Sequence, residues 1–192
     1  MHSLVLASSS IYRRELLSRL KYPFITYAPE IDETPHPDET ITDMVLRLSR
    51  EKALAALRNN PGCVCIGSDE VAALENTILG KPLNHENAIK QLTQMSGQVV
   101  IFYTGVCVAG PDLTRVDTRL ALTTVKFRSL TQTMIENYLH KEQPYSSAGS
   151  FKSETLGSAL VEHYESDDPT AIIGLPLIML CEMLRQVGIE II

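Results

Sequence analysis

Short unbroken apolar runs alternate along this chain with stretches in which apolar residues recur every three or four positions, and that alternation restricts the fold more than any other feature. A brief apolar run bounded by turn residues suits a strand covered on both faces, whereas the three-to-four spacing marks one face of a helix. Ser3 to Ala7 is such a run, and it turns at Ser8-Ser9-Ser10 into a helical pattern with Leu16, Leu17 and Leu20 on one side. Phe24 to Tyr27 predicts a second strand, followed by an acidic loop holding Asp32, Glu33, Pro35 and Pro37. Thr42 is placed to cap a long helix through about Arg58, with Val45, Leu46, Leu48, Ala53 and Leu57 largely inward. Val64 to Ser68 reads as a strand ending at Asp69, and Val71 to Leu74 with Thr77 to Leu79 as a hairpin over Glu75-Asn76.

Gly80-Lys81-Pro82 breaks the chain, after which Asn84 caps a helix to about Met95 that Ser96-Gly97 stops. Val99 to Val108 and Val116 to Val125 predict two long paired strands joined around Gly110-Pro111-Asp112. Thr131 to Lys141 reads as a helix, Ala159 to Tyr164 as a strand, and Leu177 to Val187 as a closing helix after Gly174-Leu175-Pro176. The expectation is a single α/β domain over residues 1–192, with a central mixed, twisted sheet flanked by helices.

Composition narrows the function. Apolar residues make up 44% of the chain and charged ones 21%, enough material for a packed core. A formal net charge of −6 argues against a nucleic-acid polymer as partner, because duplex binding draws its affinity from Lys and Arg on phosphates. A small anion is compatible, since a local basic cluster can hold phosphates on an acidic protein. No segment approaches the roughly 20 apolar residues that span a bilayer, and the amino-terminal run lacks the basic flank of a signal peptide. Cys63, Cys65, Cys107 and Cys181 form no CxxC pair and read as reduced, largely buried thiols of a cytoplasmic protein. The five histidines show no metal-ligand spacing, which argues against zinc.

Two constellations carry chemistry. If Ser10 caps the first helix, Arg13 and Arg14 fall near its positive end, where cations are disfavoured unless something negative compensates. A phosphate would do so through backbone N–H groups, serine hydroxyls and an arginine together; a solvated basic face fits the same spacing. Asp32-Glu33 in a loop and Asp69-Glu70 at a strand end offer carboxylates that can hold Mg²⁺ or Mn²⁺, or can simply be solvated acids. Lys81 stands in a tight loop, but Pro82 occupies the Ser/Thr position of a Walker A loop and no Gly stands five residues before Gly80, so that motif is excluded.

Taken in order, Leu6-Ala7-Ser8-Ser9-Ser10 with Arg13-Arg14, Asp32-Glu33, Glu51-Lys52-Ala53, Gly67-Ser68-Asp69, Gly80-Lys81-Pro82, Ser96-Gly97, Thr104-Gly105, Ala148-Gly149-Ser150-Phe151 and Gly174-Leu175-Pro176 resemble the Maf family of nucleotide pyrophosphatases. The resemblance covers nearly the whole chain. It implies an α/β fold like that of the inosine triphosphate pyrophosphatases, with two lobes around a deep cleft, and it implies cytoplasmic location and frequent homodimers. It implies cleavage of a nucleoside triphosphate between its α and β phosphates with Mg²⁺ or Mn²⁺. By position, Asp69 would activate water, Glu33 and Asp69 would hold the metal, and Ser8, Arg13, Lys52 and Lys81 would contact the triphosphate.

Within the family, Ile11-Tyr12 and Phe151-Lys152-Ser153-Glu154 are similar to the 7-methyl-GTP pyrophosphatase branch rather than to the branch acting on dTTP and UTP. Tyr12, Glu70 and Glu154 would then set base selectivity, although that branch commonly has glutamine where this chain has Glu70. The alternatives are a dTTP/UTP pyrophosphatase of the same family and, from a different class, a non-hydrolytic nucleotide-binding regulator of septum formation, the role for which the family was named.

Overall fold

The computed structural model describes residues 3–111 and 115–192; the turn expected at Gly110-Pro111-Asp112 therefore lies outside the described residues at Asp112. The chain runs β1 (Leu4–Leu6), α1 (Ile11–Ser18), β2 (Phe24–Thr26), α2 (Ile41–Asn59), β3 (Val64–Leu74), β4 (Thr77–Leu79), α3 (His85–Met95), β5 (Val99–Ala109), β6 (Val116–Phe127), α4 (Gln132–Glu142), β7 (Val161–Ser166) and α5 (Leu177–Gln186). Among the described residues the strands form one sheet in the order β2-β1-β3-β5-β6-β7, with β4 paired to β3. β1 is parallel to both β2 and β3, while β3–β4 and β6–β7 are antiparallel, so the sheet is mixed as expected.

Three of the boundaries that differ from the sequence reading have a clear physical cause. Thr40, not Thr42, caps α2: its Oγ1 accepts from Asp43 N at 3.1 Å and donates to Asp43 Oδ2 at 2.6 Å, a reciprocal cap. β3 does not stop at Asp69 but continues unbroken to Leu74, because Ser68 and Asp69 find polar partners in place. β7 starts at Val161 because Leu156–Leu160 winds into a 3₁₀ turn. A Cβ at Gly157 would meet the Lys152 carbonyl oxygen, so the entry to that turn requires glycine.

The contacts cluster into two units. The first comprises the described residues of Met1–Asp69, Thr104–Ala121 and Asp168–Ile192. Period-two alternation gives its strands two buried faces. Leu4, Leu6, Val64, Ile66, Val106 and Val108 pack with Leu16 and Leu17 of α1 and Leu180, Met183 and Leu184 of α5. Val5, Ala7, Cys65, Cys107 and Ala109 pack with Ala53, Ala56 and Leu57 of α2. The result is a three-layer helix–sheet–helix arrangement. Pro176 has no side-chain hydrogen bond with which to cap α5, and the buried carboxylate of Asp168 does so instead, accepting from Ile178 N at 2.7 Å and Met179 N at 3.2 Å.

The second unit comprises Glu70–Tyr103 and Leu122–Asp167. Its core includes Leu92, Met95, Ile135, Leu139 and three packed rings: Phe151 lies 5.8 Å from Phe102, tilted, and 5.1 Å, edge-on, from Phe127. The Tyr138 hydroxyl donates to Ser150 O and accepts from Lys152 N, both at 3.2 Å, tying α4 to the segment around Phe151.

The α2 side of the first unit is lined by unusually small residues, and two glycines set the spacing. A Cβ on Gly67 would meet Ser49 O and would lie 2.5 Å from Ala53 N, while one on Gly105 would lie 2.8 Å from Val45 Cγ1. Because the obstacle at Gly67 is helix backbone, it cannot rotate away. Gly67→Ala should therefore destabilise the protein by about 1–3 kcal/mol or more, the usual cost of overpacking, measured by urea unfolding. An unchanged midpoint would show that α2 does not press on the sheet there.

Candidate active site

The same close approach builds the site. Cys65, Gly67 and Asp69 alternate onto the α2 face of β3, and Val45, Ser49, Lys52 and Ala56 form the matching stripe on α2 at three-to-four spacing. Asp69 is the sixth of eleven strand residues, so the backbone on both sides holds it. Ser49 completes the fit: its hydroxyl donates to Val45 O at 2.7 Å and accepts from Asp69 N at 3.0 Å.

Lys52 reaches Asp69 Oδ1 at 2.6 Å and Glu33 Oε1 at 2.7 Å, which brings three of the sequence-predicted residues onto one ammonium. Lys52 and Asp69 are buried, and Glu33 is exposed. Such charge-assisted contacts are among the strongest hydrogen bonds a side chain makes, and buried charges are tolerated only when paired in this way. Two carboxylates against one cation leave the cluster with an excess negative charge. Its donors are all hard oxygens, the set that Mg²⁺ and Mn²⁺ prefer.

Glu33 belongs to the loop between β2 and α2, and Arg47 fastens that loop to the helix. Its guanidinium holds Glu39 through two bonds, Nε to Oε1 at 2.6 Å and Nη2 to Oε2 at 2.8 Å, and also donates to Thr34 O at 3.2 Å. This fork lowers the Glu39 carboxyl to about 2. Asp32 is lowered as well, chiefly by hydrogen bonds from the side chain and backbone of Thr34. Arg47 escaped the sequence reading, although Glu39 lies eight residues before it, a spacing that a loop entering a helix can close.

The serine turn ahead of α1 is also formed. Ser10 caps α1 by accepting from Arg13 N at 3.3 Å, and Ser8 Oγ accepts from Ser10 N at 3.0 Å. Arg13 Nε donates to Gly174 O at 2.8 Å, leaving both terminal amino groups outside that bond. The same carbonyl lies 2.8 Å from the Ser68 hydroxyl, which is also 2.8 Å from Gly105 O. Gly174 adopts a left-handed φ of 111°, which suits glycine, and so connects Arg13 to the strand residue beside Asp69. Tyr12 is half-buried on the first turn of α1.

Glu70, Lys81 and Glu154 belong to the second unit. Lys81 is exposed in the loop after β4, and Glu154 is exposed, with Ser153 Oγ 3.5 Å from its Oε2. Burial raises the thiols of Cys65 to about 12 and of Cys107 to about 11, well above the pH at which a cysteine would act as a thiolate.

The histidines need a correction. Sequence spacing gave no metal-ligand pattern, yet among the described residues His85, Glu136 and His140 place one ligand atom each within 4.8 Å of one another and could hold a metal ion. The signal was present in part, because Glu136 and His140 stand four apart on α4; His85 is brought in only by the tertiary fold.

A family model described as Maf-like protein matches residues 3–187. The chain belongs to the Maf family. Its Maf relatives include proteins named 7-methyl-GTP pyrophosphatase from Nitrosospira multiformis, 53% identical over 191 residues, and from Nitrosococcus oceani, 50% identical over 190 residues. These alignments cover 98% and 99% of this chain and 96% of each relative. Another so named, from Methylobacillus flagellatus, is 47% identical over the full length of both chains. Among solved structures, the HAM1 protein from Coxiella burnetii superposes with a TM-score of 0.48 at 14% identity, over 66% of this chain and 73% of that one.

The Arg47 clamp has a pH signature. Glu39 titrates at about 2 in the folded chain against an ordinary value of 4.5, so its contribution to stability is complete above 4.5 and is lost as pH falls from there through 2. The difference in unfolding free energy between the parent and Arg47→Met should be constant above pH 4.5 and shrink towards pH 2. A difference that stays constant to pH 2 would remove Arg47 as the anchor of the loop.

Proposed function

We propose that this Maf-family enzyme hydrolyses the α–β phosphoanhydride of 7-methyl-GTP, releasing the monophosphate and pyrophosphate. The observation that carries this reading is the buried Lys52–Asp69 pair, with Glu33 closing on the same ammonium, in a chain about half identical to proteins of that name.

Asp69 is the proposed base. Lys52 engages its Oδ1, so Oδ2 is the oxygen through which Asp69 takes a proton from water. The water oxygen forms its bond to the α phosphorus as the bond from that phosphorus to the α–β bridging oxygen breaks, and that bond's electron pair leaves on the bridging oxygen of pyrophosphate. Asp69 and Glu33 would hold Mg²⁺ or Mn²⁺, whose chemistry when bound is to polarise phosphate oxygens. Arg13, oriented by Gly174, and Ser8 at the capped turn would hold phosphate oxygens, with Lys52 supplying fixed positive charge. Lys81 is proposed as a further phosphate contact. No helix among the described residues is long and apolar enough to cross a membrane. A cytoplasmic location, a homodimer and one catalytic domain over 1–192 complete the proposal, following the family resemblance.

Methylation at N7 gives guanine a delocalised positive charge. Tyr12 would offer it an aromatic face, an interaction of about 0.5–2 kcal/mol. Glu154 and Glu70 would accept from the guanine N1 and N2 donors, a pattern that uracil and thymine lack.

Asp69→Asn keeps the side-chain size and removes both the base and a metal-binding charge, so kcat should fall by about 10²–10⁴-fold with an unchanged circular dichroism spectrum. Activity close to that of the parent would refute the assignment. For the base, kcat/KM should favour 7-methyl-GTP over GTP, UTP and dTTP. Tyr12→Ala and Glu154→Gln should each narrow that preference; its survival in both variants would overturn the specificity account while leaving the pyrophosphatase reading intact.

A further inference from the structure

We propose that His85, Glu136 and His140 form a second metal site, one for a borderline divalent cation such as Zn²⁺, with Tyr145 as its outer support. His85 is the first residue of α3, and Glu136 and His140 are one turn apart on α4. Two imidazoles aim at one carboxylate oxygen: His85 Nε2 lies 2.9 Å and His140 Nε2 3.7 Å from Glu136 Oε2. Zinc bonds to imidazole nitrogen and carboxylate oxygen at about 2.0–2.2 Å, which sets neighbouring ligands in a tetrahedron about 3.3–3.6 Å apart. The two observed separations bracket that range, and all three ligand atoms lie within 4.8 Å of one another. Two His and one carboxylate leave a coordination position for water.

The surroundings match what a ligating histidine needs. His85 Nδ1 lies 2.9 Å from the Tyr145 hydroxyl. With Nδ1–H donating to that oxygen, the Nε2 lone pair is available to the metal, the usual division of labour between the two ring nitrogens. Tyr145 is itself fixed, since its carbonyl accepts from Leu83 N at 3.1 Å and its N–H donates to Gln143 O at 2.9 Å. The loop before α3 and the turn after α4 are thus joined behind the site, and an ion bound there would staple α3 to α4.

Ligand type separates this cluster from the Glu33–Asp69 pair. Mg²⁺ prefers oxygen donors and retains water, whereas imidazole donors suit zinc and other first-row transition cations. The site therefore needs no part in the proposed hydrolysis.

The test uses the full chain stripped of metal and titrated with Zn²⁺ by calorimetry, and with Co²⁺ by its visible ligand-field absorption. Imidazole ligation should appear in the parent, and Zn²⁺ should raise its thermal midpoint. His140 is exposed, so His140→Ala should fold normally, lose the Co²⁺ absorption and bind Zn²⁺ at least about tenfold more weakly. Tyr145→Phe should weaken Zn²⁺ by about 10–100-fold through loss of the outer support. Mg²⁺-supported hydrolysis should be unchanged in His140→Ala. The proposal is overturned if the parent shows no imidazole-ligated metal, or if His140→Ala binds Zn²⁺ as the parent does.

Discussion

The ammonium of Lys52 is the point on which the candidate site depends. It is buried on the inner face of α2, and a buried amine must be paired or give up its charge. Asp69 and Glu33 provide the pairing from a strand and from a loop, so one side chain fixes three segments of the first unit at once. The arrangement remains rich in negative charge, which makes it receptive to a cation and, through that cation, to phosphate. Breaking such a pair by removing one partner typically costs 3–5 kcal/mol, because the other is left buried and uncompensated. Stability and proposed chemistry are therefore coupled at this cluster.

Small residues make the cluster possible. An ordinary side chain at Gly67 would run into the backbone of α2, and at Gly105 into Val45 and Ser49. With glycine at both positions the helix lies directly on the sheet, and Ser49 ties its hydroxyl to the Asp69 backbone. Larger apolar residues occupy the opposite face, where α1 and α5 pack. Gly174 plays the corresponding part for Arg13, with a carbonyl shared between the arginine and Ser68.

Much of this was legible in the residues. The alternation of apolar runs with helical stripes gave the strands and α-helices their approximate places, and Ser10 and Asn84 were readable as caps because their side chains bond locally. The end of β3 was misplaced because Ser68-Asp69-Glu70 looks like the polar close of a strand. It is instead polar sequence inside one, permitted by partners on α2 and at Gly105 and Gly174, all distant in sequence. That Glu33, Lys52 and Asp69 share one site was expected only from the family resemblance, which gave Lys52 to the triphosphate rather than to the two carboxylates it pairs with. Period-two alternation would have put Asp69 on the face of Gly67, but which helix covers that face is a tertiary fact. The same limit hid Arg47 on Glu39, Asp168 on the start of α5, and His85 beside Glu136 and His140. Each depends on a bond between segments that only the folded chain brings together.

The central claim is that this cluster directs water to the α–β anhydride of a 7-methylated guanine nucleotide. The most direct measurement is product identity: the purified chain, 7-methyl-GTP and Mg²⁺, followed by phosphorus NMR through the reaction. The account predicts equal amounts of 7-methyl-GMP and pyrophosphate, with no orthophosphate. Diphosphate with orthophosphate, or no hydrolysis with either Mg²⁺ or Mn²⁺, would contradict it.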